Sequence, residues 1–172
     1  MPGWSPEIAN EFIRLASADG RTLDQLQLQA LVYIAHGWRL ALSGQPLSGD
    51  RPEAMEFGPT YRRLLDVLAR YGREKVTSEI LVGEVFPEAL PADRSPIRAN
   101  LDHSETALIA DIYHNYGALE SWQLSALTRK GDTPWKRVFA DGAGTGCDIP
   151  HEIIRAQFVE LLRQSANPLQ DG

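Results

Sequence analysis

Few residues of this chain have types and spacing that could support catalysis or metal binding. The histidines and the one cysteine are His36, His103, His114, His151 and Cys147. No two of the histidines are spaced to share a helical face beside a carboxylate, and one cysteine cannot complete a zinc motif. The sequence also lacks the nucleophile-elbow pattern G-x-S-x-G. It therefore predicts no catalytic residues, no bound metal, no cofactor and no hydrolase activity.

A glycine-rich stretch at Gly142 to Gly146 (GAGTG) comes nearest to a phosphate-binding loop. A P-loop needs Lys followed by Ser or Thr after its last glycine, and a dinucleotide-binding fingerprint follows a strand. This stretch has neither feature. We therefore expect a flexible connection between helices here, and a small enzyme with no recognisable motif is kept only as an alternative.

Composition and net charge narrow the class of protein. The chain has 172 residues, 43% of them hydrophobic, and a formal net charge of -6. This acidity argues against nucleic acid as the main partner, since nucleic-acid-binding domains usually carry a basic excess. The lone Cys147 suits a reducing compartment, and the N-terminus MPGWSPEIAN lacks the basic and apolar regions of a signal peptide. We expect a cytoplasmic protein without a membrane partner.

One long stretch, Thr22 to Leu42, is expected to organise the fold. Its apolar residues cover well over half of the helical circumference, which is typical of a helix buried inside a bundle. The polar side chains gather in one stripe, formed by Gln25, Gln29, His36 and Arg39. Thr22 and Gln25 have the form of a capping box, and Gly44 is a helix stop. Trp38 lies on the apolar face, so Trp38→Ala is expected to cost about 3–5 kcal/mol of stability.

Shorter helices are predicted before and after this stretch. Capping signals and apolar periodicity place them at residues 5–20, 59–72, 104–117, 121–127, 134–139 and about 150–164. Ser5, Ser104 and Ser121 are the expected caps, and Pro59 is the expected first residue of its helix.

The stretch between residues 73 and 100 has a different character. Val76 to Val85 is rich in β-branched residues and predicts one or two short strands, whereas Pro87, Pro91 and Pro96 break regular structure. The predicted fold class is mainly α, a single helical bundle around the buried helix at 22–42 with a small β element within 73–100. One domain is expected over 1–172, with its core at about 5–164 and a frayed tail, SANPLQDG.

The predicted helix that starts at Pro59 has a basic face. Arg62, Arg63 and Arg70 lie opposite its apolar side, and Asp66 is spaced to pair with Arg63 and Arg70. Guanidinium groups are favoured at protein interfaces. This arginine face is therefore the candidate partner surface, and the alternative is a solvated helix face.

Three motifs follow one another along the chain. They read LQALVYIAHGW at 28–38, EAMEFGPTY at 53–61 and LSALTRKGDTPW at 124–135. In order and spacing they resemble the Panacea domain, the SocA-like antitoxin family of bacterial and phage toxin–antitoxin pairs, over roughly residues 5–160. The motif positions are Tyr33, Gly37, Trp38, Phe57, Gly58, Pro59, Tyr61, Thr128, Pro134 and Trp135. The chain departs from the family pattern at Ala30, Met55, Thr60 and Arg129.

The resemblance implies a mainly helical protein that binds a cognate protein toxin, often encoded by an adjacent gene, and blocks its action. Some relatives are thought to act as adaptors that deliver the toxin to a protease complex. The motif residues also have structural explanations: Gly58-Pro59 would start a helix, Gly37 would permit close helix packing, and Trp38 and Trp135 would fill the core.

A DNA-binding transcriptional regulator is the other alternative. A helix-turn-helix would need two short helices with a basic recognition face. The segment from Ser121 to Val138 is the nearest candidate, with basic residues at Arg129, Lys130, Lys136 and Arg137. Its second helix is short for this role.

Overall fold

The fold of the chain comes from a computed structural model that describes residues 3–88 and 92–166. The helices are α1 (Ser5–Ala18), α2 (Gln25–Ser43), α3 (Arg62–Leu68), α4 (Val82–Val85), α5 (His103–Tyr116), α6 (Ser121–Arg129), α7 (Pro134–Phe139) and α8 (His151–Ala166). The strands are β1 (Leu23–Asp24), β2 (Pro52–Met55), β3 (Gly58–Tyr61) and β4 (Lys75–Val76). The structure is 59% helical, so the predicted mainly α fold class is confirmed.

Helix α2 forms the centre of the core, as its apolar circumference predicted. It contacts α1, α5, α6 and α8 as well as strand β3. Leu28 and Leu31 are fully buried, and burial is continuous around the helix from Gln27 to Gly37. A helix covered on every side can be apolar all round, which explains why its sequence lacks a broad solvent face.

The start of α2 differs from the prediction of a cap at Thr22. Asp24 is the N-cap: its carboxylate accepts from the Gln27 N–H, and the Asp24 N–H donates to Gln27 Oε1, both at 2.8 Å. Thr22 lies outside the helix because Leu23 and Asp24 are extended in β1 and pair with β4. Gly44 ends the helix in the left-handed region at φ 73°, as expected.

The polar stripe of α2 includes two buried residues. Gln29 and His36 are buried, because each bonds to backbone groups of a neighbouring segment instead of to water. Trp38, predicted to be buried, is only partly covered and lies edge-on to Phe158. Leu42 is 59% exposed, since a surface groove opens between the C-terminal part of α2 and α5.

Three helix caps also lie one or two residues from their predicted places. Trp4 precedes α1, and the Ser5 side chain instead donates to the Asp50 carboxylate at 2.5 Å. Asp102, not Ser104, caps α5 by accepting from the Glu105 N–H. Glu120, not Ser121, is the N-cap residue of α6. At the starts of α1 and α5 the carboxylates of Asp50 and Asp102 accept backbone N–H bonds. At α6 the Glu120 N–H instead donates to Gln123 Oε1 at 2.9 Å.

Gly58 and Pro59 begin a strand and not a helix. Strands β2 and β3 form an antiparallel hairpin in which Ala54 faces Pro59 and Met55 faces Gly58. The Ala54 N–H points away from β3, toward the Cys147 carbonyl, so Pro59 opposite it occupies a position whose N–H would not join the ladder. Proline is therefore tolerated in β3, and α3 begins only at Arg62.

The predicted small β element within 73–100 is present as β4, which pairs with β1. The β-branched run continues into the short helix α4, so only its first residues are extended. Asn10 of α1 fixes this region, because its side chain bonds to the Ile80 N–H and to the Ile80 and Ile97 carbonyls at 2.7–3.0 Å. Pro91 lies outside the described residues, as do residues 167–172 of the predicted frayed tail, whereas its first two residues, Ser165 and Ala166, continue α8.

Within the described ranges, no helix has the length and apolarity needed to cross a membrane.

The contact between α2 and α8 generates a stability prediction. A Cβ added to Gly37 would lie 2.2 Å from the Phe158 ring, far inside contact distance. Gly37→Ala should therefore destabilise the protein by about 1–3 kcal/mol, although alanine normally stabilises a helix interior. Chemical denaturation measures this change. In the Phe158→Ala background the same substitution should become neutral or favourable; an equal loss in both backgrounds would contradict the proposed steric cause.

Candidate functional site

The three sequence motifs converge on the β2–β3 hairpin. The first motif lies on α2 beside β3, the second forms most of the hairpin itself, and the third spans α6 and α7. Helix α2 contacts β3, α6 contacts β3, and α7 contacts β2. Segments that are far apart in sequence thus hold one short β element, whose two central turn residues are Glu56 and Phe57.

Gln29 of α2 binds the outer edge of β3. Its Oε1 accepts from the Tyr61 N–H at 2.8 Å, and its Nε2 donates to the Tyr61 carbonyl at 3.2 Å. The side-chain amide thereby replaces the neighbouring strand that an edge residue would otherwise need. Both residues are buried, so water cannot take over these bonds.

Helices α6 and α7 hold the hairpin tip. The Ser125 hydroxyl donates to the Phe57 carbonyl at 2.7 Å, and Trp135 Nε1 donates to the Met55 carbonyl, also at 2.7 Å. Gly58 has φ +120°, and a Cβ added there would lie 2.9 Å from Thr128 Oγ1. The third motif therefore supplies two hydrogen bonds to the tip and a close approach that only glycine fits.

The other edge of the hairpin is covered by the segment after the glycine-rich stretch. The Gly146 N–H donates to the Ala54 carbonyl, the Ala54 N–H donates to the Cys147 carbonyl, and the Ile149 N–H donates to the Pro52 carbonyl, each at 2.8 Å. The predicted flexible connection is therefore wrong for the end of this stretch, since Gly146 is bonded to β2 and its continuation runs beside the same strand.

Most of the remaining motif residues are also internal. Tyr33, Pro134 and Trp135 are buried, and the indole of Trp135 stacks on Phe139 with ring centroids 4.6 Å apart. Burial raises the pKa of the Tyr33 and Tyr61 phenols above the usual value, so both are neutral. Phe57 is the exception, because 56% of its surface is exposed.

A histidine pair joins α2 and α8, in which His36 is buried and His151 is partly exposed. His36 Nδ1 accepts from the Leu47 and Ser48 N–H groups at 3.3 and 3.2 Å, so the ring proton is on Nε2, which faces His151 Nδ1 at 3.1 Å. Desolvation, with a smaller effect of His151, lowers the pKa of His36 to about 3. His36 is therefore a neutral structural link between α2, α8 and residues 47–48. Sequence reasoning missed the pair because its members are far apart in the chain.

No group of three or more metal-ligating side chains occurs in the part of the chain that the structure describes.

The three arginines of the predicted partner face contact different neighbours. Arg62 forms an ion pair with Glu53 of β2 at 3.2 Å, and Arg70 forms one with Glu84 of α4. The Arg63 guanidinium lies 3.8 Å from the centroid of the Trp4 ring. Asp66 forms none of the ion pairs found among residues 3–88 and 92–166, so the predicted pairs with Arg63 and Arg70 are not made.

The candidate helix-turn-helix segment is mainly engaged with the hairpin. Thr128 and Trp135 point inward, and Arg137 is tied to Asp132 by two hydrogen bonds of 2.8 and 3.0 Å. Helix α7 is six residues long. A recognition helix has to insert a free basic face into a groove of DNA. This geometry does not favour that use of α6 and α7.

An open apolar groove of about 630 Å³ lies beside the hairpin tip. Leu26 of α2, Met55 and Phe57 of the hairpin and Leu65 of α3 supply its apolar lining. Ser121 lines it from α6, and the next residue, Trp122, is 69% exposed. The sequence did not reveal this site, because its lining comes from the ends of several elements.

The protein is a mainly helical domain whose three motifs meet at the β2–β3 hairpin. A family model described as Antitoxin SocA-like, Panacea domain, matches residues 28–136, which is more than half of the chain. The chain therefore belongs to this family, as the motif resemblance predicted. It is 28% identical over 155 residues to Antitoxin SocA of Caulobacter vibrioides (strain NA1000 / CB15N), with 88% of this chain and 80% of that protein covered. No solved structure matches the chain.

The hydrogen bonds between the Gln29 side chain and the Tyr61 backbone predict a large effect of one polar substitution. Gln29→Ala leaves the buried Tyr61 N–H without a partner, so it should cost about 1–3 kcal/mol. The Tyr61 carbonyl keeps a partner, because Tyr61 is the N-cap of α3 and accepts the first bond of that helix. Urea unfolding of the variant measures this. Gln45→Ala, at an exposed glutamine, is the matched control and should change stability by less than about 0.5 kcal/mol. Equal stabilities of the two variants would contradict the claim that the hydrogen bonds of Gln29 stabilise the hairpin.

The histidine pair predicts a specific loss of stability in acid. The pKa of His36 is below its ordinary value of 6.5 in the folded protein, so the unfolded chain binds more protons as the pH falls from that value toward 3. Stability is thus fully present above pH 6.5 and decreases below it, with His151 acting in the same direction. Between pH 7 and pH 5 the contribution of His36 should fall by about 2 kcal/mol.

The free energy of unfolding at both pH values measures this change. His36→Gln should flatten the pH dependence, whereas Gln45→Ala, at an exposed position without a titratable group, should leave it unchanged. The same pH dependence in wild type and His36→Gln would show that the buried imidazole is not its source.

Proposed function

We propose that this protein is an antitoxin that binds a cognate protein toxin, encoded by an adjacent gene, and blocks its action. Membership of the antitoxin family supports the general role, and the name of the Caulobacter relative is consistent with it. The structural observation that carries the proposal is the hairpin tip, where part-buried hydrogen bonds hold the Met55 and Phe57 carbonyls while 56% of the Phe57 surface is exposed. An exposed aromatic side chain on a backbone that is already held suits protein recognition, because binding need not order that backbone.

The protein acts in this proposal by binding and not by catalysis, and it does so in the cytoplasm. The one strongly perturbed histidine, His36, is sealed from solvent and neutral, which does not suit an acid or base that must touch a substrate. Neutralisation would follow from covering the toxin surface. Delivery of the bound toxin to a protease complex is the second route, since it requires the same contact with the toxin.

In this proposal the arginine face, formed by α3 and the turn that follows it, contributes to the first encounter with the toxin. Arg62, Arg63 and Arg70 keep exposed guanidinium groups although each contacts a neighbour in its own chain. Exposed charges act mainly on the association rate, and their effect weakens as salt is added. This face would therefore steer a partner that carries a negative patch, while the tight contact is made elsewhere.

Co-expression with the adjacent gene tests the proposed function. Expression of that gene product alone should stop growth, and co-expression of this protein should restore it. The two purified proteins should elute together in size-exclusion chromatography. Restored growth without a complex would contradict direct neutralisation, and the absence of both effects would contradict the antitoxin assignment.

A further inference from the structure

We propose that the groove beside the hairpin tip is the docking site for the toxin. Its occupant is a segment of the toxin whose apolar side chains enter the groove between Arg73 and Glu56 of this protein. This inference rests on the proposed antitoxin function and adds the surface and the chemistry of the contact.

The size and lining of the groove suit protein side chains. A volume of about 630 Å³ can take several of them, and the apolar lining comes from Leu26, Met55, Phe57 and Leu65. Phe57 lies in the lining with more than half of its surface exposed. Large aromatic side chains that become covered in such a contact are the usual centres of binding energy.

The charged residues that line the groove indicate which charged groups of a partner it can bind. Glu56 and Arg73 both line it, and neither joins an ion pair within the described portions of the chain. Asp24, the remaining charged residue of the lining, is already occupied by the capping box of α2 and by Lys75, whose Nζ lies 3.9 Å away. Glu56 and Arg73 are therefore the free complements for a basic and an acidic group of the partner.

The groove is held open by contacts behind its lining. Ser125 and Trp135 hold the carbonyls of Phe57 and Met55, and Gln25 Nε2 donates to the Gly72 carbonyl at 2.6 Å. The last bond ties the segment that carries Arg73 to the start of α2. Because these backbone positions are set before binding, a partner need not order them.

A second apolar groove lies on another side of α2, where Trp38 and Leu42 adjoin α5. Its lining contains no charged residue, so it offers no electrostatic complement to a partner segment. Leu42 is 59% exposed, which is close to the exposure of Phe57, and it therefore provides a matched control.

Binding of the purified product of the adjacent gene to the full chain tests the inference. Phe57→Ala should weaken the affinity by about 30-fold or more, as expected for a central aromatic contact. Glu56→Arg and Arg73→Glu should each weaken it by about 10-fold, and more at low salt than at high salt. Leu42→Ala should leave it unchanged. Since all four side chains are exposed, thermal unfolding should confirm that every variant is folded.

A charge reversal on α3 tests whether the toxin docks in the groove or on the arginine face. Arg62→Glu combined with Arg63→Glu should slow association while leaving dissociation nearly unchanged, whereas Phe57→Ala should mainly speed dissociation. If the α3 variant loses binding and the groove variants retain it, the arginine face is the docking site and the inference fails.

The remaining outcomes distinguish this inference from the proposed function. Normal binding by both Phe57→Ala and Glu56→Arg would overturn the groove and leave the antitoxin role intact. A wild-type protein that neither binds nor neutralises the adjacent gene product would overturn both. A wild-type dimer that Phe57→Ala converts to a monomer would show that a second copy occupies the groove, and this also overturns the inference.

Discussion

The structure around the hairpin depends on the paired hydrogen bonds between the Gln29 side chain and the Tyr61 backbone. A two-stranded hairpin is marginal by itself, and its edge groups need partners when they are buried. Gln29 supplies those partners from the central helix, so the hairpin becomes part of the core. The strand-like segment ending at Ile149 satisfies the opposite edge. With both edges fixed, α6 and α7 can bind the tip without having to order it.

This arrangement divides the motif residues by physical role. Gly37, Gly58 and Trp135 make contacts inside the molecule, where a change of size or the loss of a donor would be felt at once. Phe57 belongs to the same set of motifs but lies at the surface. On our proposal, the internal contacts hold the hairpin tip in place, and the exposed side chains around it contact the toxin.

The sequence predicted the features that depend on local periodicity, and missed those that depend on distant partners. The apolar circumference of α2 and its stop at Gly44 were visible, because both are properties of one segment. Gln29 and His36 could be placed only in a polar stripe, since nothing nearby in sequence indicates that a strand edge or a loop will meet them. Gly58-Pro59 resembled a helix start, because proline suits both a first helical turn and the outer edge of a strand. The groove needs the folded arrangement of α2, α3, α6 and the hairpin.

Native-state hydrogen exchange of the hairpin tests the central claim most directly. If the hairpin is part of the core, the Tyr61 and Ala54 amides should exchange only through global unfolding, with the same opening free energy as the Leu31 amide of α2. Exchange of the Tyr61 amide through a local opening several kcal/mol easier than that of Leu31 would contradict the account, because the hairpin would then open while the central helix stays folded.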